Sequence, residues 1–187
     1  MKPSFIAIFA LSNLVQALDL TTLTHFLSQR ANAEFPTLKK MGQDIYHNSE
    51  LGRAEFHAHD LAVNHLSSLH GWKVTPHAYG LETAYSFYDA LTGINGGAAH
   101  ACGHNLIATN AWTVGILASQ ALVYFNIPGI LQIVGCSDEE NASGKHDLEV
   151  NGAFDNFELD FMARPTSANS VQVMEGQTVK CSISAFS

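Results

Sequence analysis

The feature that most constrains the fold is an apolar run of strand length at residues 130–134. It follows a turn at 126–129 that contains Pro128, and before that a longer segment, 106–125, that is apolar on nearly every side. A run of that length is the mark of a strand covered on both faces. A helix apolar nearly all round is expected to be buried. Upstream, helical spacing places Leu23, Phe26 and Leu27 on one side of 20–32, and a second helix is expected at 35–47, beginning near Pro36 and carrying Leu38, Met41 and Ile45. Asn48-Ser49 breaks it. A third helix, 55–69, stripes Ala58, Ala62, Leu66 and Leu69, with Gly71 as its stop. Short strands are expected at 72–75, 159–163, 171–173 and 179–183, and a short helix at 144–150, stopped by Asn151-Gly152. Helices alternating with strands predict an α/β domain with a mostly parallel sheet, whose functional loops sit at the carboxyl ends of strands.

Composition narrows the function. A chain of 187 residues, 47% hydrophobic and 14% charged, has the balance of a globular domain with a core of its own. Seventeen acids against nine bases give a net charge of -8, with no Lys/Arg cluster, so neither nucleic acid nor an anionic membrane is an expected partner. Cys102, Cys136 and Cys181 are an odd, sparse set and not a disulfide framework. Residues 1–17 read as a secretory signal: Lys2, an apolar run from Phe5 to Val15, then Val15 and Ala17 at positions a signal peptidase favours. The run is too short to span a bilayer. A secreted product is expected, with an amphipathic first helix of a cytoplasmic protein as the alternative.

Two constellations carry chemistry. The first is His100-Ala101-Cys102-Gly103-His104-Asn105, at the entrance to the long helix. Gly103 allows a tight backbone, so that Cys102 and His104 can face one site, and a thiolate with an imidazole suits zinc or a similar metal. Spacing alone leaves open a packed cysteine beside helix-capping polar groups. The second is Asp138-Glu139-Glu140, directly after the apolar run. Adjacent acids repel one another unless a positive charge sits among them, and neighbouring carboxylates can divide roles between metal binding and base. A solvated acidic loop is the other reading.

These motifs, with their surroundings, resemble the metallopeptidase family of aminoacylases, carboxypeptidase G, auxin-conjugate amidohydrolases and Xaa-Arg dipeptidases, the last in fungal form looking most similar. Asn48-Ser49-Glu50-Leu51-Gly52 looks like the family's Asn-Pro-Glu-Leu-Gly, and residues 73–84 look like its early strand and loop. Tyr88-Asp89-Ala90-Leu91 looks like its Tyr-Asp-Ala-Leu-Pro-Gly. Residues 100–109 match its metal motif, and 135–145 follow its Gly-rich Glu-Glu loop. The resemblance implies a partial zinc-exopeptidase-like catalytic domain at 18–172 and the first strands of a lid and dimerisation domain at 173–187. It implies Cys102, His104 and Glu140 as metal ligands, Glu139 as general base, and Asp89 as a supporting residue behind the ligands. The cofactor would be zinc or manganese, two ions in the family, and the substrate a small peptide or N-acyl amino acid. The family is homodimeric through the lid.

The chain departs from the pattern at four places. Arg164, before Pro165, stands where the family has a ligand histidine, and a guanidinium stays protonated and cannot bind a metal. The chain ends near the start of the lid, before the family's final ligand histidine. A strand is missing between Ala84 and Tyr88, and the glycine-rich loop is replaced by Asn141-Ala142-Ser143, with Cys136-Ser137 before it. The expectation is therefore a metal-dependent amide hydrolase holding at most one ion and impaired or inactive, or a catalytically dead relative that binds metal or peptide.

Overall fold

The computed structural model describes residues 19–83, 91–92, 98–100, 103–138, 144–157 and 161–162. Helix α1 runs Leu20–His47. It starts where the Asp19 carboxylate accepts hydrogen bonds from the Thr22 hydroxyl and the Thr21 and Thr22 amides. These bonds, the Thr22 hydroxyl first, hold that carboxyl below its ordinary range. It stops where the Asn48 side chain donates to the Asp44 carbonyl at 2.9 Å. Two helices were expected here, and one continuous helix is found with Pro36 inside it. Proline removes the amide that would serve the carbonyl of residue 32. Asn32 and Pro36 are both exposed, so water can take that bond.

Helix α2, Phe56–Ser68, buries Ala58, Ala62 and Leu66, the stripe expected of it, and Gly71 beyond its end takes a left-handed φ of 86°. A single-turn 3-10 segment, Ala78–Gly80, follows. Strands β1, Leu91–Thr92, and β2, Ala98–Ala99, pair antiparallel with Leu91 opposite Ala99. Helix α3, His104–Tyr124, matches the expected long helix, and α4, Gly144–Val150, matches the short one. By length and composition alone α3 could cross a membrane, with a mean hydropathy of 1.4, but its inner face is part of the protein's core.

The expected α/β architecture with a mostly parallel sheet is overturned: the regular elements among the described residues are helices, apart from that two-residue antiparallel pair. Residues 130–134 carry no strand. Gln132 interrupts the run and is exposed, as is Ile130, while Ile133 lies against α3 over Gly115. An extended segment becomes a strand only when another strand takes its backbone bonds, and no described segment does so here. Residues 72–75 are likewise irregular, with Trp72 and Val74 packed on the helices, and Phe161 and Met162 are exposed and irregular. The all-round burial expected of α3 is also corrected: Leu106, Val114, Val123 and Tyr124 are all more than half exposed. The strands expected at 171–173 and 179–183, the gap at 84–88 and the signal at 1–17 lie outside the described residues.

The main core joins three helices. Leu38, Met41 and Ile45 of α1 meet Ala58, Ala62 and Leu66 of α2 and Ala108, Trp112 and Ile116 of α3. A smaller cluster of Cys136, Leu148 and Ala153 anchors α4 under Tyr79, Leu81, Val134 and Phe154. Helices α1 and α3 come close at Gly42, where an added Cβ would overlap Thr109 Oγ1. Thr109 is not free to yield, because its hydroxyl donates to the Asn105 carbonyl at 2.7 Å.

Gly42→Ala sets two effects against each other. Alanine gains about 1 kcal/mol of helix propensity, while overpacking costs about 1–3 kcal/mol. The expected sign is net destabilisation, read as a lower urea midpoint; a raised midpoint would show that α3 can shift away. His65 on α2 supplies a pH test. Burial holds its imidazole below the ordinary 6.5, partly opposed by attraction from Glu34. The unfolded chain then binds the proton more readily, so stability falls as pH drops below 6.5. His65→Gln should make that fall shallower, and an unchanged slope of urea midpoint against pH would assign it to other groups.

Candidate functional site

His104 is the first residue of α3 and is buried, 2% exposed. Gly103 precedes it in the left-handed conformation, φ 70°, which is the tight entry expected of that glycine. The approach to α3 is pinned to the last turns of α1. Buried His100 contacts the Ile45 carbonyl through Nε2 at 3.2 Å, and the Asn105 side chain donates to the Gly42 carbonyl at 3.3 Å. Burial lowers the His100 pKa, opposed by its bond to Ile45; nearby His104 lowers it further and Glu50 raises it. A neutral imidazole with an Nε2 proton fits a donor to that carbonyl. Of the expected site residues, His104 is the one the structure describes. Cys102, Glu139, Glu140, Asp89 and Arg164 lie outside the described residues, among which no three His, Cys, Asp or Glu side chains gather as a metal site.

The approach to the acidic motif is well ordered. Asp138 is 4% exposed and takes a left-handed φ of 50°. Its amide donates to Glu55 Oε1 at 2.9 Å, its carboxylate receives Arg53 Nε at 2.9 Å, and its carbonyl accepts the Gly144 amide at 3.1 Å. Asp138 and Gly144, the described residues on either side of 139–143, are thus joined by a hydrogen bond. Gly144 has no room for a side chain there, since a Cβ would overlap the Ser137 carbonyl. Arg53 also reaches Asp147 of α4 at 2.9 Å, and both carboxylates raise its pKa, Asp147 most. The positive charge that adjacent acids call for is therefore supplied at Asp138 by a guanidinium.

Glu50, Arg53 and Glu55 are residues that sequence reasoning passed over. The signal available was acids and a base just ahead of an apolar stripe, the layout of a helix start. Glu50 serves that role: its two carboxylate oxygens accept the His57 and Ala58 amides at 2.8 and 3.0 Å. Glu55 does something else. It is fully buried, makes no side-chain cap bond, and accepts from the Thr83 hydroxyl at 2.7 Å as well as from the Asp138 amide. Burial pushes its pKa up, and these bonds partly offset that.

Comparison with known proteins places this chain in a family. Mouse Xaa-Arg dipeptidase is 29% identical over 180 residues, a match covering 82% of this chain and 41% of the mouse protein. Human Xaa-Arg dipeptidase is 32% identical over 163 residues, covering 71% of this chain and 36% of its own length. One of the polypeptides of the p-aminobenzoyl-glutamate hydrolase of Escherichia coli (strain K12) is 33% identical over 81 residues, 36% of this chain and 17% of the bacterial one. No family model matches the chain. The chain belongs to the peptidase and amidohydrolase family that these relatives represent, which by their names includes dipeptidases and a hydrolase of an amino-acid conjugate. It spans less than half the length of the curated relatives it matches.

Glu50→Ala leaves two amides at the start of α2 without their acceptor. The expected cost is about 1 kcal/mol, the usual value of a helix N-terminal cap. Urea unfolding measures it, and a stability equal to the parent chain would show that water replaces the carboxylate at no cost.

Proposed function

We propose that the protein hydrolyses the amide bond of dipeptides or N-acyl amino acids, using zinc or manganese held by Cys102, His104 and Glu140. The observation that carries this reading is the match to two Xaa-Arg dipeptidases across most of the chain. The donor set fits the ion by its chemistry: thiolate, imidazole and carboxylate are zinc ligands, and three protein ligands with one open position is a catalytic arrangement. Burial of His104 at the entry of α3 suits a ligand held in one orientation. The bound ion would polarise the substrate carbonyl and make the attacking water more acidic. Glu139 takes the water's proton as its oxygen adds to the carbonyl carbon, and passes that proton to the amine as the C–N bond breaks. A secretory signal at 1–17 would place the product outside the cell.

Arg164 favours a second reading, a relative that binds metal or peptide without turnover, because it sets a fixed positive charge where the family pattern has a ligand histidine. Zinc uptake and hydrolysis of dipeptides and N-acyl amino acids separate the two. Under the first reading Glu139→Gln binds zinc but loses about 10²–10⁴-fold in rate, and His104→Ala loses zinc. Equal rates for the parent chain and Glu139→Gln would sink the mechanism, and zinc uptake with no turnover in any form would establish the binding protein.

A further inference from the structure

The buried bonds at Asp138 have no explanation in helix capping or core packing. Glu55 stands at the N-cap of α2, yet Glu50 caps the amides there and the Glu55 carboxyl makes no cap bond. A fully buried carboxyl is costly unless its oxygens are bonded, and both of its oxygens are: one to the Thr83 hydroxyl, one to the Asp138 amide. Asp138 itself holds a left-handed backbone that a non-glycine residue adopts at a cost and keeps only where its surroundings over-determine it. Amide, carboxylate and carbonyl are all tied, to Glu55, Arg53 and Gly144 respectively. The absence of a side chain at Gly52 completes the fit, since a Cβ there would overlap the Asp138 carboxylate. All this ordering falls on the residue directly before Glu139-Glu140.

We infer that Glu55 and Arg53 are positioning residues that lock the Asp138 backbone at the start of the acidic motif, an inference that rests on the function proposed above. Glu55 acts through the Asp138 amide and Arg53 through its carboxylate. Both reach the acidic motif from the connection between α1 and α2, more than 80 residues earlier in the chain.

The test measures zinc affinity by competition with a chromogenic chelator, with amide hydrogen exchange of the peptide around Asp138 alongside. The full chain is compared with Glu55→Leu, Glu55→Gln, Arg53→Gln and His104→Ala. Glu55→Leu keeps the bulk and removes the acceptor; it should weaken zinc binding about 10–100-fold, the usual effect of losing a residue that orients a ligand, and speed exchange at Asp138. Glu55→Gln keeps an acceptor for the Asp138 amide and should restore both towards the parent. Arg53 is half exposed, so Arg53→Gln should fold even if Glu55→Leu does not, and it should weaken zinc binding in the same direction. If the Glu55 and Arg53 variants bind zinc like the parent while His104→Ala does not, the positioning role is overturned and the metal site stands. A Glu55→Gln as weak as Glu55→Leu also overturns it. A parent chain that takes up no zinc refutes the metal site itself, and the positioning role with it.

Discussion

The crossing of α1 and α3 at Gly42 is the contact on which the rest depends. Without a side chain at that position, Thr109 can sit against α1, and the Asn105 side chain can reach the Gly42 carbonyl. One turn further along, the Ile45 carbonyl receives His100. The segment that enters α3 is therefore fixed at both ends to the final turns of α1, and His104 takes its place between these anchors. The same crossing brings Trp112 and Ile116 onto Leu38 and Met41 and opens the space that α2 fills with Ala58 and Ala62. Small residues at the interface allow close backbones, and close backbones allow side-chain bonds to main-chain carbonyls that would otherwise be out of reach.

A second constraint is electrostatic. In a chain of net charge -8, the acidic run at 138–140 has to be stabilised locally. Arg53 does this for Asp138 and joins it to Asp147 on α4. The physical case for a metal ion therefore rests on Glu139 and Glu140, the two acids that follow, and not on all three. Glu55 works differently, accepting from the Thr83 hydroxyl and the Asp138 amide. The two residues act on different atoms of Asp138, and together they make its backbone one of the most constrained points in the described chain.

The entry to α3 was legible because it is local. Gly103 before His104 at a helix entrance could be read from six consecutive residues, and the structure puts a left-handed glycine and a buried histidine there. The Glu55 and Arg53 contacts were not legible, because each spans more than 80 residues and nothing in the local pattern around 53 or 55 indicates a partner near 138. Glu50 was half legible: an acid before an apolar stripe is a helix-start signal, but which of several acids caps the helix is decided by loop geometry.

The sequence by itself determined α2, α3 and α4, the apolar stripe of α2, the stop at Gly71 and the family. Each of these depends on residues a few positions apart or on motif chemistry. It did not determine how the apolar run at 130–134 is used. That segment has the composition of a strand but sets Ile133 against α3 over Gly115, with Ile130 and Gln132 exposed. Whether an extended segment becomes a strand depends on a partner for its backbone amides and carbonyls, and a partner is a property of the assembled chain. Pro36 makes the same point from the other side: the residue argues for a helix boundary, and the helix runs through it at a place where Asn32 and Pro36 are both exposed. Local chemistry proposes elements, and long-range packing and hydrogen-bond supply decide which of them form.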